Sequence, residues 1–211
     1  PFSMNVCACM VVIFINNQLV RFGGDMSVGA FGIANRIVFI FVMFVMGINQ
    51  GMQPIAGYNY GAQKLDRMMQ VVKLSIIAAT VIMILGWFLA MLAPRQCVSL
   101  FTTDQHLIET TVHGMRRMML MLPIVGYQMV ITNFFQCIGK VKISIFLSLS
   151  RQLLFLLPAL ALLPIWFGLD GVWLAQPVSD FIASVVTAWI MIVYMHKFKL
   201  QHKENQYGRQ E

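Results

Sequence analysis

The sequence predicts an all-α integral membrane protein with six transmembrane helices, and its composition and the length of its apolar runs both favour this fold class. Of the 211 residues, 59% are hydrophobic and 11% are charged, and the mean hydropathy is +0.75. Soluble domains contain about 45–50% apolar and about 25% charged residues. The composition therefore excludes a soluble globular domain, a disordered chain and a free nucleic-acid-binding module. A membrane β-barrel would show alternating strands of about ten residues, whereas the apolar runs here are continuous.

Six apolar runs follow one another along the chain. Each is about as long as the ~20 residues that a transmembrane helix needs, and helices are required because hydrocarbon offers no partner for backbone N–H and C=O groups. The runs cover approximately residues 2–20, 27–53, 69–92, 118–137, 143–167 and 172–195.

Polar stretches, or stretches containing Gly and Pro, separate the runs. Residues 21–25 break the first two runs at a Gly-Gly pair, and the Pro, Gly and Asn residues of 54–61 predict a loop. Residues 95–117 are mixed, and Thr103-Asp104 predicts the N-terminal cap of a short helix in the membrane interface. Short turns complete the pattern at 139–142 and 168–171.

Basic residues predict the orientation, because Lys and Arg collect in cytoplasmic loops. With the N-terminus inside, the cytoplasmic side holds Lys64, Arg67, Lys73, Lys140, Lys142, Lys197, Lys199, Lys203 and Arg209, and the other side holds Arg21, Arg95, Arg116 and Arg117. There are nine basic residues on the first side and four on the other. This difference predicts a multi-pass protein of the cytoplasmic (inner) membrane with both ends in the cytoplasm. The chain opens with Pro1 inside an apolar run, so we expect it to be a piece of a longer protein.

Ionisable side chains within a span are costly, and they usually face a bundle interior or a watery cavity. Arg36, Arg151 and Asp180 are three such residues. An arginine can extend its guanidinium towards water, whereas Asp180 is short and lies well inside the last run. Asp180 is therefore the strongest functional candidate, and a structural hydrogen bond to a neighbouring helix is its alternative role.

Amide side chains recur on several runs. Gln128 and Gln136 are eight residues apart, just over two turns, so they share one helix face. Asn49 and Gln53 form an i, i+4 pair. A polar stripe on several helices predicts a wet cavity between them, and hydrogen bonds that simply join helices are the alternative.

No motif for catalysis occurs in the sequence. It lacks the His-Glu-x-x-His zinc motif, the Gly-x-Ser-x-Gly nucleophile motif and the phosphate-binding loop. Its four cysteines (Cys7, Cys9, Cys97 and Cys137) show no metal-binding spacing and are interpreted as small core residues. We therefore predict no enzyme activity, no catalytic residue and no bound metal or cofactor. Any transport would then draw its energy from an ion gradient.

Three segments, in order along the chain, carry a family resemblance. They are Gly-Ala-Phe-Gly-Ile-Ala-Asn-Arg at 29–36, Gly-Met-Gln-Pro-Ile-Ala-Gly-Tyr-Asn-Tyr-Gly-Ala at 51–62 and Gly-Val-Trp-Leu-Ala-Gln-Pro-Val-Ser-Asp at 171–180. Together they resemble the multidrug and toxin extrusion (MATE) family. The resemblance implies that residues 1–198 form the C-terminal lobe of a twelve-helix, two-lobe transporter, and that residues 199–211 form a cytoplasmic polar tail.

The resemblance also implies a function, namely Na⁺- or H⁺-coupled antiport that exports bulky, often cationic organic compounds by alternating access. The implied partners are the lipid bilayer and the N-terminal lobe of the same transporter, with no nucleic acid. Family members that couple ions in this lobe use acidic residues on the helices matching the first and fourth runs. Here those runs carry only amides such as Asn16, Asn17, Gln128 and Asn133, so the coupling site is expected in the missing N-terminal lobe.

Under this interpretation, the substrate cavity is predicted to include Asn16, Gln50, Gln128 and Asn133. Predicted structural or gating residues are Arg36, Gln53, Pro54, Tyr58, Asn59 and Asp180, and the stretch from Gln53 to Tyr60 forms the inner end of the second span, where the lobes hinge. The main alternative is a lipid-linked saccharide flippase, which would need a strongly cationic cavity, although only Arg36 and Arg151 are available. A membrane-embedded enzyme is a weaker alternative.

Overall fold

A computed structural model gives the architecture, and it describes the backbone of residues 2–207 and the side chains of residues 9–198. This part of the chain is helical and contains no strand, which confirms the all-α prediction. In chain order the elements are α1 (Phe2–Gly61), α2 (Leu65–Leu92), α3 (Pro94–Ser99), α4 (Gln105–Met118), α5 (Leu122–Cys137), α6 (Val141–Leu149), a π-helical segment (Ser150–Leu156), α7 (Leu157–Phe167) and α8 (Leu169–Tyr207).

α1 consists of two helices that meet at Gly24. This residue has φ 69° and ψ −174°, a conformation that is essentially restricted to glycine. An unbroken helix of 60 residues would be about 90 Å long, about three times the thickness of the hydrocarbon core of a bilayer. We call residues 2–23 α1a and residues 25–61 α1b. The predicted break at residues 21–25 is confirmed.

The predicted loop at residues 54–61 is wrong, because α1b remains helical as far as Gly61. Pro54 lies inside the helix and removes only one backbone donor, whereas a loop would leave several backbone groups without partners in hydrocarbon. The Asn59 side chain adds a bond, since its Nδ2 donates to the carbonyl oxygen of Ile55 at 2.8 Å. The chain turns only at residues 62–64, where Gln63 has a φ of 57°.

The helices run between two ends of the bundle. At one end, which we call the Lys64 end, Gly57 of α1b lies beside the carbonyl oxygen of Cys137, and the Tyr60 ring lies 6.0 Å from the ring of Phe198 in α8. At the opposite end, the Gly24 end, α4 and the start of α8 are joined by an ion pair between Arg117 and Asp170. The turns that carry Lys64 and Lys140 therefore lie at the same end of the bundle.

Among the described residues, four helical stretches are long and apolar enough to cross a membrane: Cys9–Gly61, Leu65–Leu92, Val141–Phe167 and Leu169–Phe198. α4 and α5, which are bent by 56° at their junction, together form a fifth candidate. Gly24 divides the first stretch into α1a and α1b, so the number of helices agrees approximately with the six predicted spans. The chain is therefore a multi-pass membrane protein.

The rod formed by α6, the π-helical segment and α7 corresponds to the fifth predicted span. The π-helical segment, Ser150–Leu156, lies in its middle. π-helices are rare and occur frequently at functional sites. No sequence pattern predicts this one, and it contains Arg151.

Asp104 caps α4, as the sequence predicts. Its Oδ1 accepts hydrogen bonds from the backbone N–H groups of His106 and Leu107, at 2.9 and 3.4 Å. On the inner face of α4, Ile108 and Met115 are buried, while its charged residues lie on the outer face. α4 is therefore an amphipathic helix on the surface of the Gly24 end.

Two apolar clusters hold the helices together. The larger cluster joins α1b, α2, α4, α5 and α8, and its largest buried rings are those of Phe134, Phe135 and Trp173. The smaller cluster joins α1a to α7 and α8 through Leu19, Leu160 and Val172. α1a thus packs mainly against α7 and α8, whereas α1b packs mainly against α2, α4 and α5, and the break at Gly24 lets each half follow its own direction.

Candidate functional site

A polar cavity of about 660 Å³ opens between α1b, α5, α6 and the π-helical segment. Seven of the thirteen residues in its wall carry amide or hydroxyl groups, and the others are apolar apart from Arg151. The wall consists of Met46, Gln128, Met129, Thr132, Asn133, Gln136, Val141, Ser144, Ile145, Leu147, Ser148, Arg151 and Gln152. Cavities of about 300–1,000 Å³ with a few polar groups suit drug-sized molecules. We call this space the polar cavity.

α5 contributes a polar face to the cavity. Gln128, Thr132 and Gln136 line it at four-residue spacing, so their side chains lie one above another. Gln128 is 3% exposed, and its Oε1 has no hydrogen-bond partner among the described residues. An unpaired buried acceptor costs about 1–3 kcal/mol. This oxygen is therefore ready to accept a hydrogen bond from water or from a bound molecule.

A hydrogen bond between side chains joins α1b to the wall of the polar cavity. Nε2 of Gln53 donates to Oδ1 of Asn133 on α5. The sequence predicts Gln53 as a hinge residue and Asn133 as a cavity residue, and the structure brings the two together. Pro54 directly follows Gln53, so a change in the bend of α1b would act directly on the cavity wall.

An ion pair lies at the end of the polar cavity nearest α8. Nε of Arg151, in the π-helical segment, lies 2.8 Å from Oδ1 of Asp180 on α8. The Asp180 side chain is 6% exposed and the Arg151 side chain is 28% exposed. A second bond ties the same two elements together, because Ser179 Oγ donates to the carbonyl oxygen of Arg151 at 2.9 Å.

Arg151 also separates two cavities. It lines the polar cavity and a smaller one of about 190 Å³, whose wall includes Asn35, Gln176 and Asp180. Met129 is the other residue shared by the two walls. A rotation of the Arg151 side chain away from Asp180 would therefore place its charge in the polar cavity or open a passage between the two spaces.

The sequence predicts Asp180 as a functional candidate but does not predict its partner. The sequence feature that could indicate this contact is that Arg151 and Asp180 carry opposite charges and both lie in predicted spans. A buried charge in hydrocarbon needs a counter-charge, so pairing the two residues was the simplest solution. The separation of 29 positions along the chain does not predict the contact, because no periodicity links residues on two separate spans.

Other predicted site residues lie outside the polar cavity. Asn16 on α1a is half-buried, while Gln50 and Arg36 on α1b are exposed. Arg36 makes no ion pair with any described side chain. Tyr58 is 73% exposed, whereas Asn59 is buried and bonds only within its own helix. Arg36, Gln50 and Tyr58 therefore lie on α1 surfaces that no other described helix covers, whereas Asn16 and Asn59 are partly or fully covered.

Gly47 and Gly51 form a Gly-x-x-x-Gly pattern, which often permits close contact between helices. Both glycines are exposed, and a Cβ added to either would meet nothing within 4 Å. The pattern therefore makes no helix contact within the described part of the chain. Across residues 9–198, no group of three or more His, Cys, Asp or Glu side chains is placed to hold a metal ion.

Comparison with known proteins identifies relatives along most of the chain. The MatE family model matches residues 1–160. The multidrug export protein MepA of Staphylococcus aureus (strain MSSA476) is 25% identical over 199 residues, which cover 94% of this chain and 43% of MepA. The chain thus spans less than half the length of the curated relatives that it matches.

Solved structures of MATE transporters also resemble this chain along most of its length. The MATE multidrug transporter DinF-BH superimposes with a TM-score of 0.78 and 39% identity, covering 90% of this chain and 43% of that one. A MATE structure in the straight conformation has a TM-score of 0.87 and 21% identity over 93% of this chain and 44% of that chain. The second likeness establishes the fold alone.

Proposed function

This chain belongs to the MatE family of membrane transporters, and on that premise we propose that it forms the C-terminal half of a cation-coupled multidrug efflux antiporter. The names of MepA and DinF-BH, both described as multidrug proteins, support export of organic compounds. Because the chain spans less than half of these relatives, the activity belongs to the whole transporter. This chain supplies one wall of the transport cavity.

The polar cavity is the observation that carries this proposal. Gln128, Thr132 and Asn133 offer donors and acceptors without net charge, and Met46 and Met129 lie among them. Methionine is flexible and polarisable, and it adapts to ligands of different shapes. A wall of this kind favours many bulky organic compounds over a single ligand.

The coupling carboxylate is proposed to lie in the N-terminal lobe. Within the described residues, no acidic side chain lines the polar cavity. Asp180 lines only the smaller cavity and already holds Arg151 as its counter-charge. A Na⁺ ion or proton would therefore have to displace this arginine to use Asp180, whereas a free carboxylate in the other lobe carries no such cost.

Alternating access is proposed to use the contact between the π-helical segment and α8. Pro177 lies within α8, three residues before Asp180. Proline and π-helical geometry both weaken the regular backbone hydrogen bonding of a helix. The Arg151–Asp180 pair and the Ser179 bond join these two irregular regions, so they are the natural place for a change of helix angle.

A lipid-linked saccharide flippase is not favoured. Such a protein would need several unpaired basic residues in the cavity to hold a pyrophosphate. Among the described residues, Arg151 is the one basic residue in the wall of the polar cavity, and it is paired with Asp180. Both curated and structural relatives carry multidrug names.

Export of organic dyes tests this function. The full-length transporter, expressed in a host lacking its own multidrug exporters, is expected to lower accumulation of rhodamine and ethidium while a Na⁺ or H⁺ gradient is present. Gln128→Ala or Asn133→Ala should reduce export of some dyes about two- to tenfold, because each hydrogen bond contributes about 0.5–1.5 kcal/mol. Dye accumulation is read by fluorescence, with and without an ionophore.

Gln96→Ala is the matched control, since Gln96 is exposed on α3 at the Gly24 end. It should leave export unchanged. A full-length protein that moves lipid-linked saccharide but exports no dye would overturn the proposal in favour of the flippase. Equal losses in all three variants would show that the polar cavity does not bind the exported compounds.

The proposed orientation puts the Lys64 end in the cytoplasm. We expect single cysteines at Lys64 and Lys140, both exposed, to react with a membrane-impermeant maleimide only after the cells are opened. A cysteine at Thr103, at the Gly24 end, should react in intact cells. The four natural cysteines of this chain are replaced first. Among them, burial raises the pKa of the Cys97 thiol, which would slow its reaction with the maleimide. Labelling of Lys64→Cys and Lys140→Cys from opposite sides would contradict both the orientation and the six crossings.

A further inference from the structure

A separate cavity, of about 430 Å³, lies at the Gly24 end and takes no part in the proposed transport site. α3 and α4 form it, and we call it the arginine pocket. Its wall consists of Arg95, Glu109, Val112, His113, Arg116 and Arg117. Three guanidinium groups around one space of this size indicate a site for an anion.

The charges around the arginine pocket are only partly balanced. Glu109 Oε1 pairs with Arg95 Nη2 at 3.2 Å. Asp170, at the start of α8, pairs with Arg117 and lies 3.3 Å from Nε2 of His113. Arg116 is exposed and makes no ion pair with any described side chain. Two carboxylates therefore face three arginines, which leaves one positive charge even with His113 neutral.

The existing pairs do not close the pocket to a ligand. The side chains of Arg95 and Glu109 are 65% and 68% exposed, and exposed ion pairs contribute only about 0–1 kcal/mol. A phosphate can therefore replace Glu109 as the partner of Arg95. Each guanidinium presents a planar set of five N–H donors that fits phosphate oxygens in pairs.

Exposed apolar side chains on the residues that flank α3 indicate which kind of phosphate the pocket binds. Leu92 and Leu100, which flank α3, are 81% and 84% exposed, and Phe101 beside them is 41% exposed. A free phosphate ion would gain nothing from these residues. A phospholipid would place its headgroup against the arginines and its acyl chains against the leucines, and the amphipathic α4 is predicted to lie in the interface where such headgroups are found.

We infer that the arginine pocket binds the phosphate of an anionic phospholipid headgroup. Arg116 supplies the free charge, and Arg95 and Arg117 supply further donors. Leu92, Leu100 and Phe101 contact the start of the acyl chains. A bound lipid would fix α4 against the start of α8. This site is independent of the dye-export cavity.

Native mass spectrometry of the purified full-length transporter tests the inference. The protein is mixed with equal amounts of phosphatidylglycerol and phosphatidylcholine, and the bound lipids are counted. We expect phosphatidylglycerol to be retained preferentially. Arg116→Gln should lower its affinity about fivefold, as for one basic charge at an anionic surface, and Arg116→Lys should retain most of it.

Arg21→Gln is the matched control. Arg21 is exposed near the Gly24 break but does not line the pocket, so its loss should not change lipid retention. Because Arg116 is exposed and makes no ion pair with a described side chain, its substitution should leave the thermal unfolding midpoint unchanged. Equal retention of the two lipids, or equal effects of Arg21→Gln and Arg116→Gln, would overturn the inference. Competition by millimolar inorganic phosphate without any preference between lipids would show that the pocket binds a free ion instead.

Discussion

Replacement of Asp180 by asparagine is expected to reduce drug export by the full-length transporter about tenfold or more at equal expression, which corresponds to about 1.4 kcal/mol. The substitution leaves Arg151 without its counter-charge, and breaking a buried ion pair costs about 3–5 kcal/mol. Arg151 is 28% exposed, so hydration in the cavity offsets part of that cost. We therefore expect a folded transporter with impaired export, measured as dye efflux rate and as drug resistance of the host.

Asp170 provides a matched control for this substitution. Like Asp180 it lies on α8 and pairs with an arginine, but its side chain is 40% exposed. An exposed pair contributes about 0–1 kcal/mol, so Asp170→Asn should change export by less than about fivefold. Unchanged drug resistance in Asp180→Asn at equal expression would contradict a functional role for the buried pair.

A double variant separates two roles of the pair. Arg151→Gln combined with Asp180→Asn removes both charges, so no buried charge is left alone. If the pair serves only to neutralise two charges, the double variant should recover both stability and export. We expect it to recover thermal stability but not export, because two amides cannot form and break an ion pair between the π-helical segment and α8 during the transport cycle.

Much of the fold follows from local rules that operate in hydrocarbon. The Gly-Gly pair at residues 21–25 predicts the break, and Gly24 adopts a backbone conformation essentially restricted to glycine. Asp104 predicts the start of α4 because a carboxylate caps free N–H groups. The same rules fail at Pro54, where turn-forming residues predict a loop. In a membrane the cost of unpaired backbone groups outweighs the preference of proline and glycine for turns.

The site could be predicted only where its residues share one helix. The spacing of Gln128 and Gln136 is enough to place both on one face of α5, and both line the polar cavity. The contacts of Gln53 with Asn133 and of Arg151 with Asp180 join different helices, so they depend on how the helices pack. The π-helical segment likewise has no sequence signature, because its hydrogen-bond pattern is imposed by the surrounding packing.

A methyl group added at Gly114 is expected to destabilise the lobe strongly, although alanine is normally the better helix former. A Cβ at this position would lie 2.2 Å from Cε2 and 2.3 Å from Cζ2 of Trp173. The Trp173 ring is 1% exposed and lies 5.8 Å from the ring of Phe31, so it has no free space to enter. Overpacking of this kind costs about 1–3 kcal/mol or more, which exceeds the gain of up to about 1 kcal/mol from replacing glycine in a helix.

Comparison of Gly114→Ala with Gly29→Ala measures this effect directly. Gly29 is exposed on α1b, and a Cβ there would meet only Leu107 Cδ1 at the ordinary distance of 3.6 Å. The same substitution should therefore lower the unfolding midpoint of the full-length protein at Gly114, by about 1–2 °C per kcal/mol for a protein of about twice this length. At Gly29 it should leave the midpoint unchanged or raised. Gly114→Leu should prevent accumulation of folded protein. An unchanged midpoint in Gly114→Ala would show that α4 can move away from α8, and α4 would then not be a rigid support for Arg116 and Arg117.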